Sequence, residues 1–168
     1  MNIQQFLRDN HVPFTVHTHP DTFDAQHLAQ ELHEPGKHVV KTVLLRANHG
    51  FTYVVAVLPA THHVDLKLLS EALGHANMQL ATEMEISKCC PDCEFGVLPP
   101  FGSRYCMKTV VDESLAQDEY IVMQGNNRHE AIRMKYRDYY ELERPLLASF
   151  AVQSASADQG RKAGATSA

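Results

Sequence analysis

Two apolar runs joined by a short polar connection constrain this chain more than any other feature. Val39-Val40-Lys41-Thr42-Val43-Leu44-Leu45 and Phe51-Thr52-Tyr53-Val54-Val55-Ala56-Val57-Leu58 are rich in β-branched residues and flank Asn48-His49-Gly50. The spacing predicts two strands paired antiparallel. Both are apolar on both faces, so the pair belongs in the interior of a sheet. Side chains alternate along a strand. Lys41 therefore shares a face with Val39, Val43 and Leu45, while Val40, Thr42 and Leu44 point the other way. A buried ammonium is costly unless it is paired or faces a cavity that an anionic or carbonyl ligand enters. A lysine near a strand end can equally carry its charge to solvent on its aliphatic stem. Lys41 is the first candidate for chemistry.

The remaining pattern places elements around this pair. Ile3, Phe6 and Leu7 fit one face of a short helix ending near Asn10. A strand follows over 12–17, which Pro13 can only start. A helix is expected over 24–32, with Ala25, Leu28, Ala29 and Leu32 on one face and Pro35-Gly36 as its stop. Asp65 can cap a helix that Gly74 closes. Residues 77–80 suggest a short strand, and Thr82-Glu83-Met84-Glu85 has capping-box spacing. Strands are expected over 107–111 and 119–124, and residues 129–134 pair back after the turn Gly125-Asn126-Asn127-Arg128. A helical turn over 136–142 completes the pattern.

These strands come in hairpins with helices inserted between them. The expected fold class is α+β, with a mixed, largely antiparallel sheet and no nucleotide-binding βαβ unit. One domain is expected over residues 1–150. Beyond it, 151–168 is rich in Ala, Ser, Gly and Gln and reads as a disordered tail. The net charge of −5 argues against nucleic acid spread over the whole surface. A polyanion would have to be met locally, and Lys37, Arg46, Arg104, Lys108 and Arg128 are a thin set for that. No apolar run reaches the roughly 18 residues of a membrane helix. The N-terminal residues lack a signal-peptide pattern, so the expected location is cytoplasmic and no membrane partner is expected.

Two further stretches could carry chemistry. Glu94-Phe95-Gly96-Val97-Leu98-Pro99-Pro100-Phe101-Gly102 holds two glycines and two prolines and cannot be a regular element. It is a rigid loop whose backbone can approach a ligand, or simply a turn between elements. The turn Gly125-Asn126-Asn127-Arg128-His129 could hydrogen-bond a polar ligand, although Asn-rich turns are commonly hairpin chemistry. Cys90 and Cys93 have C-x-x-C spacing beside Cys89, with Cys106 further on. No second such pair or H-x-x-x-H motif completes a four-ligand metal site. The cysteines read as reduced thiols, with oxidation between Cys90 and Cys93 open in vitro. No metal or cofactor is expected.

The ordered set Lys41-Thr42, then the glycine–proline loop at 96–102, then Val111-Asp112-Glu113-Ser114-Leu115, then the Gly125 turn resembles the YbaK/ProX family. That family comprises aminoacyl-tRNA deacylases and editing domains associated with prolyl-tRNA synthetase. His19, Ala25, Ala29 and Pro35-Gly36-Lys37 fit the same pattern upstream. The resemblance covers roughly residues 1–147. It implies a mixed sheet curled into a partial barrel and flanked by helices. It also implies hydrolysis, in trans, of the ester of a mischarged tRNA carrying a small amino acid such as Ala or Cys on tRNA-Pro. The partner it implies is the tRNA acceptor end, with a synthetase assisting in some members. Lys41 would be the catalytic residue. His19, Thr42, Gly96, Pro100, Phe101, Gly102, Gly125, Asn126, Asn127 and His129 would bind substrate. The Gly-Asn-Asn-Arg-His turn departs from the cysteinyl-specific pattern and leaves the amino acid open. The other reading is a non-catalytic module of this fold that binds a small ligand or a protein.

Overall fold

Strand β3 (Tyr53–Pro59) lies at the centre of the molecule, and its alternation creates the core. The computed structural model describes residues 1–22, 24–48 and 53–154. The expected His49-Gly50 connection, with Phe51 and Thr52, lies outside the described residues. Strand β2 (Val40–Ala47) pairs antiparallel with β3 in the register Lys41 to Leu58 and Leu45 to Val54. Val55 and Val57 face one cluster with Val40, Leu44, Phe101, Val111, Ile121 and Ile132. Val54, Ala56 and Leu58 face a second cluster with Leu45, Leu69, Val110 and Phe150. The two-residue period thus gives the strand pair two buried faces, as their composition requires.

Around this pair the sheet runs β5-β2-β3-β6-β9, with β5 (Met78–Leu80), β6 (Lys108–Asp112) and β9 (Leu146–Ala148). Strands β3, β6 and β9 are parallel neighbours, and β2 pairs antiparallel on both sides. A second sheet joins β1 (Phe14–Thr18), β8 (Glu130–Lys135) and β7 (Tyr120–Gln124), all antiparallel. The two sheets touch at one corner. Val39 bridges Val122, and the Val122 amide donates to the His38 carbonyl at 2.9 Å. The result is a curved, mixed, largely antiparallel arrangement that stays open as a partial barrel.

The caps expected at Asp65 and Thr82 form, and Asp24 supplies a third. Asp24 accepts from the His27 amide at the start of α2 (Ala25–Leu32), and Asp65 from the Lys67 and Leu68 amides before α3 (Leu66–Ala72). Thr82 and Glu85 form the full capping box of α4 (Glu83–Cys89). Helix α1 (Ile3–Asp9) and helix α5 (Tyr136–Glu143) close the first cluster, and the Tyr139 hydroxyl donates to the Pro100 carbonyl at 2.6 Å.

Two features were not legible beforehand. His62–Val64 forms a short strand, β4, and Ala151–Gln153 forms β10, paired with it antiparallel. Ordered structure therefore continues three residues into the segment expected as a tail; residues from 155 on lie outside the described residues. Asp112 makes this possible. Its buried carboxylate accepts from the Phe150 and Ala151 amides, at 2.9 and 2.7 Å, and folds the chain end back.

Gly102 is a case of close approach. A Cβ there would sit 2.5 Å from Thr109 Oγ1 and 3.2 Å from the Met107 carbonyl oxygen. Gly102→Ala is expected to destabilise the fold by about 1–3 kcal/mol through overpacking, read as a lower urea midpoint with an unchanged m-value.

Candidate active site

Lys41 sits on β2 where the strand leaves the corner between the two sheets, and there it meets open space. A cleft of about 390 Å³ is bounded by Asp24, Ala25, Gln26 and Leu28 from the α2 segment, and by Val40, Lys41 and Thr42 from β2. Ala60, Ile86 of α4, Gly96, Leu98 and Gln124 complete its wall. The Lys41 side chain is half-buried. Its Nζ donates to the His62 carbonyl oxygen at 2.9 Å, so β4 orients the amine. An ammonium has three N–H donors, and that is the one protein acceptor it meets among the described residues. Burial pushes the Lys41 ammonium below its usual value, and the Asp24 carboxylate opposes that shift. Burial also works against the charge of Asp24. Hydrogen bonds from the His27 amide and ring outweigh it and hold this carboxyl below its usual value. The cleft therefore holds a positive and a negative group within a wall of mixed polar and apolar side chains.

Thr42, the next residue, joins this strand to the glycine–proline loop. Its hydroxyl donates to the Leu98 carbonyl at 2.6 Å. Gly96 stands in the same wall at φ +78°, a backbone conformation that favours glycine. The loop is also tied to the turn that begins at Gly125. The Glu94 amide donates to the Asn126 carbonyl at 2.8 Å. The Arg128 amide and guanidinium donate to the Glu94 carboxylate at 2.8 and 3.2 Å. So the two stretches singled out in the sequence pack against each other, and the first of them reaches the lysine. Thr42→Val is expected to cost about 1 kcal/mol, one net hydrogen bond, measured by urea denaturation.

A model of the aminoacyl-tRNA editing domain matches residues 19–142, most of the chain and all of this cleft. The chain belongs to the aminoacyl-tRNA editing domain family. It is 30% identical over 108 residues to the multifunctional Ser/Thr-tRNA deacylase ProXp-y of Escherichia coli K12. That match covers 63% of this chain and spans 64% of the length of the relative. Among solved structures, the hypothetical protein APE2540 superposes with a TM-score of 0.80 at 17% identity, over 89% of this chain and 99% of that one. A candidate trans-editing enzyme for prolyl tRNA synthetase gives 0.76 at 18% identity, over 89% and 94%. These likenesses establish the expected fold.

Within this editing domain the other expected substrate-binding residues are distributed unevenly. Pro100, Phe101 and Gly102 do not border the cleft. Phe101 is wholly buried, packed edge-on against Phe6 and Tyr139 with ring centroids 5.8 and 5.3 Å away. Gly125 is buried in the hairpin, with its amide bonded to the Glu130 carbonyl. Asn126 binds the N-terminal segment: its Oδ1 accepts from the Ile3 amide at 2.8 Å, and its Nδ2 donates to the Met1 carbonyl at 2.7 Å. Asn127 accepts from the His129 amide in a local turn. His129 is exposed, and its carbonyl accepts from the amide of His19. The His19 ring is buried away from the cleft, with Nδ1 2.7 Å from the Pro20 carbonyl and Nε2 without a partner. His129, Asp21 and Glu94 bring ligand atoms within 4.8 Å of one another, but the Arg128 guanidinium already engages Glu94.

Sequence reasoning missed Asp24, Gln26, Ile86 and Gln124 as cleft residues. Asp24 was readable only as the start of the helix expected over 24–32, and the glutamines carry no spacing signal. Of the basic residues considered for tRNA, Arg46 pairs with Glu85, Arg104 lies over the Phe6 ring and Arg128 pairs with Glu94. Lys37 and Lys108 are exposed. No helix of the described residues is long and apolar enough to cross a membrane.

Proposed function

We propose that this chain is an aminoacyl-tRNA deacylase that hydrolyses the ester of a tRNA mischarged with a small amino acid. The carrying observation is the half-buried Lys41 ammonium, held by the His62 carbonyl and open to a small cleft walled by Gly96 and Leu98. An aminoacyl ester is already activated, so positioning and charge stabilisation do most of the work. The Lys41 ammonium binds the carbonyl oxygen or the terminal phosphate as negative charge builds. Water, or a ribose hydroxyl of the substrate, attacks the ester carbon. Asp24 keeps the lysine charged against its desolvation.

A volume of about 390 Å³ lies near the bottom of the roughly 300–1,000 Å³ typical of small-ligand sites. Such a pocket selects by exclusion: larger, correct amino acids do not enter. Gln26, Thr42 and Gln124 in the wall offer hydrogen bonds to a side-chain hydroxyl. Together with the relative named as a Ser/Thr-tRNA deacylase, this favours Ser and Thr esters, with Ala and Cys on tRNA-Pro as smaller alternatives. Of the five basic side chains considered for tRNA, only Lys37 and Lys108 are exposed without a partner among the described residues, so grip on the tRNA body is weak. A prolyl-tRNA synthetase, as in the name of the structural neighbour, would supply it. The chain acts in the cytoplasm, where charged tRNA is made.

The test is a panel of tRNAs charged with labelled Ser, Thr, Ala, Cys and larger amino acids, scored for amino acid release. Release from the small esters and not the large ones is the expected result. If no ester is cleaved faster than its spontaneous rate, the fold serves as a binding module.

A further inference from the structure

Behind the cleft, at the end of α4, a second group of reactive side chains gathers that the deacylase reading does not use. Cys90 caps the helix and is buried in the core; Cys93 is half-buried. The Cys93 amide donates to the Cys90 carbonyl at 3.1 Å, closing a four-residue turn. The ends of such a turn lie within about 7 Å, compatible with the roughly 4.4–6.8 Å Cα separation of a disulfide.

The Cys93 sulfur is set among donors. Asn126 Nδ2 donates to it at 3.4 Å, and the Tyr105 hydroxyl lies 3.5 Å away. That hydroxyl also reaches Asp92 Oδ1 at 3.0 Å, so its proton is shared. Asp92 Oδ1 lies 3.9 Å from the sulfur, and the Asp92 carboxylate is paired with the N-terminal ammonium. The Asn126 amide cannot flip, because its Oδ1 is held by the Ile3 amide and its Nδ2 also serves the Met1 carbonyl. The neighbouring Cys90 side chain first, then the Tyr105 and Asn126 side chains, hold the Cys93 thiol below its usual value against the effect of burial. The Cys93 side chain and burial push Cys90 up.

We propose that Cys93 is a peroxide-reactive thiol and that Cys90 resolves it to an intramolecular disulfide. The roles follow from position: Cys90 is 1% exposed and unreachable from solvent, whereas Cys93 is partly open. The Cys93 thiolate attacks one oxygen of hydrogen peroxide, the O–O bond breaks and hydroxide leaves, giving a sulfenic acid. The Cys90 sulfur then attacks the Cys93 sulfur. Its proton and the departing hydroxide form water, so two thiols and one peroxide give one disulfide and two waters.

The test uses the full reduced chain. Alkylation by iodoacetamide at pH 7 is followed residue by residue by peptide mass, then repeated after limiting hydrogen peroxide. Cys93 is expected to react about tenfold faster than Cys106, because a thiolate and not exposure sets the rate, although Cys106 is the exposed cysteine. Peroxide should remove two hydrogens and link Cys90 to Cys93. In Cys90→Ser the same treatment should leave a Cys93 sulfenic acid that dimedone traps. Preferential alkylation of Cys106 or Cys89 in the unmodified chain, or a peroxide product linking any other pair, overturns the assignment. These readouts do not depend on deacylase activity.

Discussion

Lys41→Ala is expected to slow deacylation by about 10²–10³-fold, the usual loss when one preorganised charge at a developing oxyanion is removed. The protein should remain folded. The side chain makes one hydrogen bond, to the His62 carbonyl, and its charge is partly desolvated, so its removal relieves one cost as it loses one contact. Lys41→Met separates the two contributions: it keeps the aliphatic stem against the cleft wall and removes only the charge. Equal loss in both variants assigns the effect to the ammonium. Single-turnover rates on a cleaved tRNA from the panel, with circular dichroism as a folding control, decide the outcome. Full activity in Lys41→Met would remove the lysine from the mechanism.

Asp112→Ala should produce the largest loss of stability, about 3–5 kcal/mol. The buried carboxylate accepts from the amides of Ser114, Phe150 and Ala151 and from the Ser114 hydroxyl, the last at 2.6 Å. Its removal strands several donors at once, each worth roughly 1–3 kcal/mol when left unpaired, with partial recovery through water. Burial alone would raise this carboxyl. The hydrogen bonds from Ser114, Phe150 and Ala151 outweigh it and hold it below its usual value. The sign of the pH dependence follows. A carboxyl lowered on folding contributes stability that is present above the unfolded value near 4 and lost as pH falls through the folded value. Urea denaturation at pH 7 should show the full gap between the two proteins. At pH 3 and below the gap should narrow.

Much of the fold was readable because local rules and burial agreed. The run 39–45 declared two buried faces, and β2 and β3 have them. Asp65 and Thr82 announced two helix starts by cap chemistry that requires only neighbouring amides. The strands β4 and β10 were not readable. Each is three residues long, and each exists because the other supplies its hydrogen bonds across a long sequence separation. The candidate site divides the same way. Lys41 stood out because a charge in an apolar strand is locally anomalous. Gly96 stood out because the loop could not be regular. The family resemblance put Phe101 and Gly102 in the expected pocket along with the rest of their loop, and in the structure both are buried and neither borders the cleft.

What the sequence by itself determined is the set of elements, the buried strand pair and the identity of the anomalous amine, since each follows from period, capping and the cost of burying charge. Only the tertiary structure decided what that amine faces. The His62 carbonyl that orients it, the Asp24 carboxylate that supports its charge and the Leu98 carbonyl that Thr42 holds come from separate segments. Contacts of that kind depend on how two sheets meet at one corner, and no local pattern encodes the angle.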